Sequence, residues 1–505
     1  MRRSLVNGLL LLASILVSLV VAEGIARFDD DLPLLALPLP QPIGANTAAS
    51  HLDEIPRAPG VARELFFSDP PPLPNRTKPS AEWERLKTEA DRVTPADKVF
   101  EAMDMFKAWN SVFVGGDLCK HPVLHFAPGP IYLYDPPDGL GRPPYRFLPN
   151  ATTPVGLVTN QFGWRGPPVP FARREKTIRI VFAGASTTVA GHSLPYSHPE
   201  FIGYWLNRWA QARNLDLQFE VMNSGREGVS STDIAAVTRS EIVPLRPDLV
   251  VYYEGANQFR LNSIVAQMPQ DAAGGPARRP AAKVAPAWLR AAARYLALAR
   301  RLEAATGYIG SDIDGHEWPK PEYRVQWPAG LDEFAPDLAY PNLPVTLNVI
   351  LHDLDQMRAD LKAVGGELAL SSFVWLVKDG MVLDPIRNRY ILEYLNIFTF
   401  PFRYRDLERL AAFQNRVFAK YAAEHGLAFI DVAGRMPFDP DLFIDGIHTT
   451  YSGERLRAWV VFQQLVPIVE RHLASGAWPK PPPKAGDMPP PPTYEPRRIS
   501  FKCAP

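Results

Sequence analysis

From Thr177 to about residue 475, short apolar runs alternate with stretches where apolar residues recur every three or four positions. The compact runs Ile178–Ala183, Leu217–Met222, Asp248–Tyr253, Leu368–Leu376 and Leu427–Val432 have strand length. Between the first two, Ser197 and Glu200 have capping-box spacing, and Phe201, Ile202, Trp205, Leu206 and Trp209 follow at helical intervals. A second helix is predicted over Tyr404–His425, ending at Gly426. A last one starts near Ser452 and carries Leu456, Trp459, Val460 and Leu465, and Pro467 is expected to kink or end it. Strands alternating with helices predict an α/β fold, a parallel sheet covered on both faces. Ligands in such sheets sit beyond the carboxyl ends of the strands.

Outside this region the pattern weakens. Arg2 and Arg3 precede an apolar run from Leu5 to Ala22, which reads as a signal peptide or a signal-anchor helix within residues 1–27. Either form exports the remainder, so an extracytoplasmic, periplasmic-side location is expected, with residues 5–22 as inner-membrane anchor if retained. Residues 28–110 read as a Pro-rich tether with a short helical stretch from Ala81 to Trp109. Residues 111–175 read as a small β-rich lead-in that includes Ile131–Tyr134. The alternation also stops between about 261 and 342, an insertion suited to a lid or a partner surface, with a helix over Trp288–Ala305. Residues 476–505 form a Pro-rich tail.

Composition sharpens this outline. The chain has 505 residues, too many for one plain core, so two domains or one decorated domain are expected. Its 53 prolines are about twice the usual ~5% share. Lys+Arg and Asp+Glu are 54 each, and this balance lacks the basic footprint of a nucleic-acid partner. Protein partners, if any, are expected on the insertion 261–342 or the Pro-rich ends. Cys119 and Cys503 are the two cysteines, and whether they pair is open. No cluster has zinc spacing, so no metal or cofactor is expected.

The residues just past the strands carry the chemistry. After the first come Gly184-Ala185-Ser186-Thr187-Thr188, where a tight turn would expose the Ser186 hydroxyl. After the second come Asn223-Ser-Gly-Arg-Glu-Gly228, and Gly228 permits close backbone approach to a ligand. After the third come Glu254-Gly255-Ala256-Asn257-Gln258, where Asn257 can donate an amide N–H. Near the end, Asp445 and His448 are three apart, which lets a carboxylate orient an imidazole as general base. His192 and His198 are rival bases by proximity to Ser186, although His198 falls in the first turn of the helix that Ser197 caps. No Gly-x-Ser-x-Gly elbow is present, which disfavours an α/β-hydrolase.

These four blocks resemble the Ser, Gly, Asn and His blocks of the SGNH (GDSL-type) hydrolases, most of all exported bacterial members with a Gly-Gly-Ser-Thr-Thr nucleophile motif. Asn160-Gln-Phe-Gly163-Trp-Arg165-Gly166 resembles the Asn-x-x-Gly-Phe-Arg stretch that precedes the first strand in those proteins. The resemblance spans roughly residues 158–475 apart from the insertion. It implies a three-layer α/β/α flavodoxin-like sandwich. It further implies Ser186 as nucleophile, His448 as base, Asp445 as its orienter, and the Ser186 N–H, Gly228 N–H and Asn257 side chain as an oxyanion hole. Ala185 replaces the Asp of the GDSL name, and Ala256 and Gln258 replace the frequent Gly and Asp beside the block-three Asn. The expected activity is hydrolysis of O-acyl esters, acetyl esters foremost, on a small molecule or a glycan. An O-acyltransferase with the same acyl-enzyme, or a non-catalytic scaffold subunit of a membrane complex, are the alternatives.

Overall fold

The computed structural model describes residues 2–29, 45–73, 131–135, 141–147, 157–191, 195–260, 264–266, 286–293, 295–307, 315–384, 388–483 and 495–499, with Leu32, Leu34, Leu35, Leu37, Pro149 and Asn150. Its elements in chain order begin with helix α1 (Arg2–Asp29), α2 (Ala45–Ser50), strand β1 (Ile131–Asp135) and β2 (Thr177–Gly184). Then come α3 (Ser186–Val189), α4 (His198–Ala212), β3 (Gln218–Asn223), α5 (Ser231–Val237) and β4 (Leu249–Tyr253). The insertion contributes β5 (Val265–Ala266), α6 (Ala287–Ala292), α7 (Ala297–Gly307) and β6 (Arg324–Val325). The chain closes with α8 (Leu347–Ala363), β7 (Glu367–Ser371), α9 (Tyr404–Glu424), β8 (Ala428–Ile430), α10 (Tyr451–Ala474) and β9 (Glu495–Ile499).

Five parallel strands form the central sheet in the order β3-β2-β4-β7-β8. Counted along the chain this is 2-1-3-4-5, the flavodoxin-like doubly wound order. All eight residues of β2 are buried, as a central strand covered on both faces requires. Helices α4 and α10 pack together, α4 against β3 and α10 against β8. Helices α5, α8 and α9 form the other layer, with α8 and α9 against β7. The sheet reverses its winding between β2 and β4, the point at which such sheets place a ligand.

Four expectations change, the first being that the helix expected over Trp288–Ala305 is two helices, α6 and α7. Residues 45–73 are not a free tether, because Leu52, Ile55, Val61 and Phe66 belong to the main core. Phe66 lies against Trp205 and Trp459, and the Ala58 N–H donates to Gln463 Oε1 at 2.7 Å. Pro467 does not end the last helix, which continues to Ala474. Proline costs a helix about 3 kcal/mol, and burial of Val466, Ile468 and Val469 around it offsets that loss. The fourth strand stops at Ser371, after which the backbone turns away so that the Leu376 N–H donates to Gly446 O at 2.8 Å. In the lead-in, β1 pairs antiparallel with β9 of the tail. The helix expected over Ala81–Trp109, His192 and both cysteines lie outside the described residues.

Candidate active site

The site begins with a one-turn helix. β2 ends at Gly184, where a Cβ would collide with Thr188 Oγ1 and the Tyr253 carbonyl, so the Ser186 turn can press onto β4 only with glycine here. α3 then runs Ser186–Val189, and the φ of 48° at its C-cap Ala190 turns the chain out of the helix. A helix this short has few internal hydrogen bonds, and its last carbonyls need outside donors. Side chains from three separate segments supply them. Arg457 of α10 donates to Thr187 O at 2.9 Å, Asn223 Nδ2 to Thr188 O at 2.8 Å, and Arg165 to Val189 O at 2.9 Å and also to Ala190 O. Arg165 is held in turn by Glu200 Oε2 at 2.9 Å, the carboxylate that also takes the Ser197 N–H at 2.7 Å in the expected capping box. Arg165 is therefore a buried packing charge that grips the Ser186 turn.

The last block brings its pair to this turn. His448 Nε2 stands 2.8 Å from Ser186 Oγ, and His448 Nδ1 stands 2.8 Å from Asp445 Oδ2. The other Asp445 oxygen accepts the N–H groups of Ile447 at 2.9 Å and His448 at 2.8 Å. Burial alone would raise this carboxyl's pKa, but the charge and hydrogen bonds of His448 and the two backbone N–H donors hold it below the usual range. Ser186, Asp445 and His448 are each only 8% exposed, so the relay is shielded yet reachable. This is the order of groups that nucleophilic acyl transfer needs, a hydroxyl on a base on an orienting carboxylate.

The remaining blocks follow β3 and β4 at the same end of the sheet. Gly228 has φ of 70°, a left-handed conformation that favours glycine, and its backbone is exposed. Asn257 Nδ2 donates one proton to Val229 O at 2.8 Å, which ties the third block to the second. Gln258 adds a second tie, since its Oε1 accepts the Ser231 N–H at the start of α5 at 2.5 Å. The departure from Asp at position 258 thus has a physical use, because a longer amide reaches the neighbouring helix.

Glu254 organises this loop from beneath. Its Oε1 accepts the N–H of Ala256 at 2.8 Å and of Asn257 at 2.7 Å. Burial pushes its carboxyl up to about 7 despite these donors. A carboxyl raised in the folded state is bound to its proton more tightly there than in the unfolded chain. Its stabilising contribution is complete below pH 4.5 and declines as pH rises through about 7. Glu254→Gln keeps the acceptor and removes the titration. The variant should therefore gain stability over the parent on the order of 3 kcal/mol between acid and pH 8, measured as the difference between two urea-stability profiles against pH. Parallel profiles would refute this. Glu227 is a second buried acid near His448. Burial raises its carboxyl, and Tyr145 donates to it at 3.2 Å.

His198 faces Glu454. It is 1% exposed, and its Nδ1 lies 2.6 Å from Glu454 Oε1. Burial lowers its pKa, and its contact with Glu454 makes it a packing imidazole beside the Ser186 turn. Glu454 also accepts from the His198 N–H and Thr449 Oγ1, each at 2.8 Å, and pairs with Arg457. Arg457, Asn223 and Glu454 escaped sequence reasoning because charged or amide residues inside an α/β pattern carry no local mark of what they will face. Among the described residues no group of three or more His, Cys, Asp or Glu could hold a metal ion.

No protein-family model and no curated protein matches the chain. Among solved structures it is similar to a GDSL-like lipase from Bacteroides thetaiotaomicron, at 14% identity and a TM-score of 0.29, over 58% of this chain and 88% of that one. It is also similar to an acetyl xylan esterase from Geobacillus stearothermophilus, at 13% identity and a TM-score of 0.31, over 57% of this chain and 94% of that one.

Proposed function

We propose that this chain is a serine ester hydrolase of the SGNH type, held by α1 at the extracytoplasmic face of a membrane, that cleaves O-acyl esters through an acyl-enzyme on Ser186. The observation that carries this reading is the continuous contact from Ser186 Oγ through His448 to Asp445, at 2.8 Å in each step. His448 Nε2 takes the hydroxyl proton as Ser186 Oγ bonds to the ester carbon. The collapsing intermediate then expels the alcohol, which receives that proton. Water, deprotonated by the same imidazole, attacks the acyl-enzyme and releases the acid and free Ser186. In both steps negative charge gathers on the former carbonyl oxygen, and the Ser186 N–H, the Gly228 N–H and the second Asn257 amide proton would receive it. One such donor is worth roughly 3–4 kcal/mol by precedent.

A nucleophile only 8% exposed favours a small acyl group, which supports acetyl esters. In α1, Leu10, Leu11, Leu16 and Val20 are all at least 60% exposed, which suits lipid rather than water. It is the single described helix long and apolar enough to cross a membrane. The test is p-nitrophenyl acetate turnover by the full chain in nanodiscs, beside Ser186→Ala and His448→Ala. Both variants should lose at least about three orders of magnitude. Unchanged turnover would overturn the reading, and acyl delivery to an added sugar in place of water would convert it to an acyltransferase.

A further inference from the structure

The insertion is joined to the base of the membrane helix. Glu23 is the first residue after the apolar run Leu5–Ala22. Its carboxylate accepts the first two N–H groups of α7, from Ala297 at 2.8 Å and Leu298 at 3.0 Å. One helical turn later, Arg27 donates to Tyr295 O at 2.8 Å and to Leu34 O at 3.1 Å, and it pairs with Glu23 at 2.7 Å. Ala26, Leu32 and Ala297 close a small apolar cluster between the two segments. The apolar run is 18 residues from Leu5 to Ala22, or about 27 Å of helix against a hydrocarbon core of about 30 Å. Glu23 therefore stands at the edge of that core, and so does the α7 N-terminus it caps.

The side chains around this junction are unusual for a surface facing water. Phe28 is 79% exposed, Leu34 64%, Leu35 94%, Trp288 66%, Tyr295 49% and Leu302 47%. Residues of this kind sit at membrane interfaces, where Trp and Tyr bridge headgroups and acyl chains and helices lie partly immersed. Exposed apolar and aromatic side chains grouped on joined segments mark an interaction surface. The headgroup level of the bilayer that α1 crosses is at hand to supply one.

We infer that α6, α7 and the exposed leucines Leu34 and Leu35 just after α1 form a lipid-contacting collar that lies in the membrane interface and fixes the hydrolase domain close to the bilayer. This inference rests on the reading of α1 as a retained anchor. It assigns the first part of the insertion to phospholipid rather than to a protein partner, and it brings acyl esters at the membrane surface within reach of the domain.

The experiment uses the full chain in nanodiscs of phosphatidylethanolamine and phosphatidylglycerol, doped with a phospholipid bearing a photoreactive diazirine near the headgroup. After irradiation, peptides are mapped by mass spectrometry. Adducts should appear on peptides containing Phe28–Leu37 and Trp288–Leu302. They should be lost when Trp288, Tyr295, Leu296 and Leu302 are replaced together by Ser, with labelling of α1 retained as an internal check on insertion. Adducts on α1 alone in the parent chain would overturn the collar and leave the anchor standing. Release of the chain from membranes by alkaline carbonate would overturn both.

Discussion

Asp445→Asn should lower ester turnover by about 10⁴-fold while the fold stays intact. The reason lies in which oxygen is already engaged. Oδ1 accepts two backbone N–H groups, from Ile447 and His448. An asparagine must therefore keep its own oxygen there and turn its amide nitrogen toward His448. That nitrogen donates, so His448 Nδ1 becomes an acceptor and its proton moves to Nε2. A protonated Nε2 facing Ser186 Oγ cannot take the hydroxyl proton. The measurement is kcat for p-nitrophenyl acetate with thermal unfolding in parallel. A loss below tenfold would show that Asp445 does not set the tautomer, and an equal fall in stability would show that it mainly holds the loop.

Glu454→Ala should destabilise the protein by about 3–5 kcal/mol, as loss of one partner from a buried ion pair does. Glu454 and Arg457 are 0% and 1% exposed, and His198 is 1% exposed. Burial alone would raise the Glu454 carboxyl, yet Arg457 and His198 hold it far below the ordinary carboxylate range, which marks strong dependence on its charge. Without it, the Arg457 guanidinium keeps Thr187 O at 2.9 Å and the Tyr253 hydroxyl at 3.3 Å, neither of which carries formal negative charge. The same arginine grips the Ser186 turn, so kcat should fall with stability. Urea unfolding gives the first quantity. As a contrast, Glu470→Ala breaks the Arg213 pair, whose side chains are 43% and 33% exposed, and should change stability by no more than about 1 kcal/mol. Equal effects from the two substitutions would remove the special place given to the buried network.

Particular elements show where sequence reasoning reaches and stops. Ile178–Ala183 was legible as a strand because a central parallel strand is apolar on both faces, and the whole of β2 is buried. Ser197 and Glu200 marked a helix start because capping is local chemistry, and both side chains take up those roles. Residues 45–73 were illegible. Their prolines suggest an extended chain, and only the aromatic surface of α4 and α10 explains why Phe66 is buried there. Pro467 was misleading for the same reason, since packing along α10 outweighs one lost hydrogen bond.

The sequence by itself determined the alternation of strands and helices, the apolar N-terminal run, and the order of Ser186, Gly228, Asn257, Asp445 and His448 after their strands. These follow from periodicity and from chemistry within a few residues. Only the tertiary structure decided that His448, 262 positions from Ser186, stands 2.8 Å from it while the nearby His198 does not. Only the tertiary structure decided that Arg165, Asn223 and Arg457 share the carbonyls of one short turn. The physical reason is that the 2-1-3-4-5 strand order brings distant segments to one end of the sheet. Which buried polar groups then meet is set by the geometry of packing, and no local pattern along the chain records it.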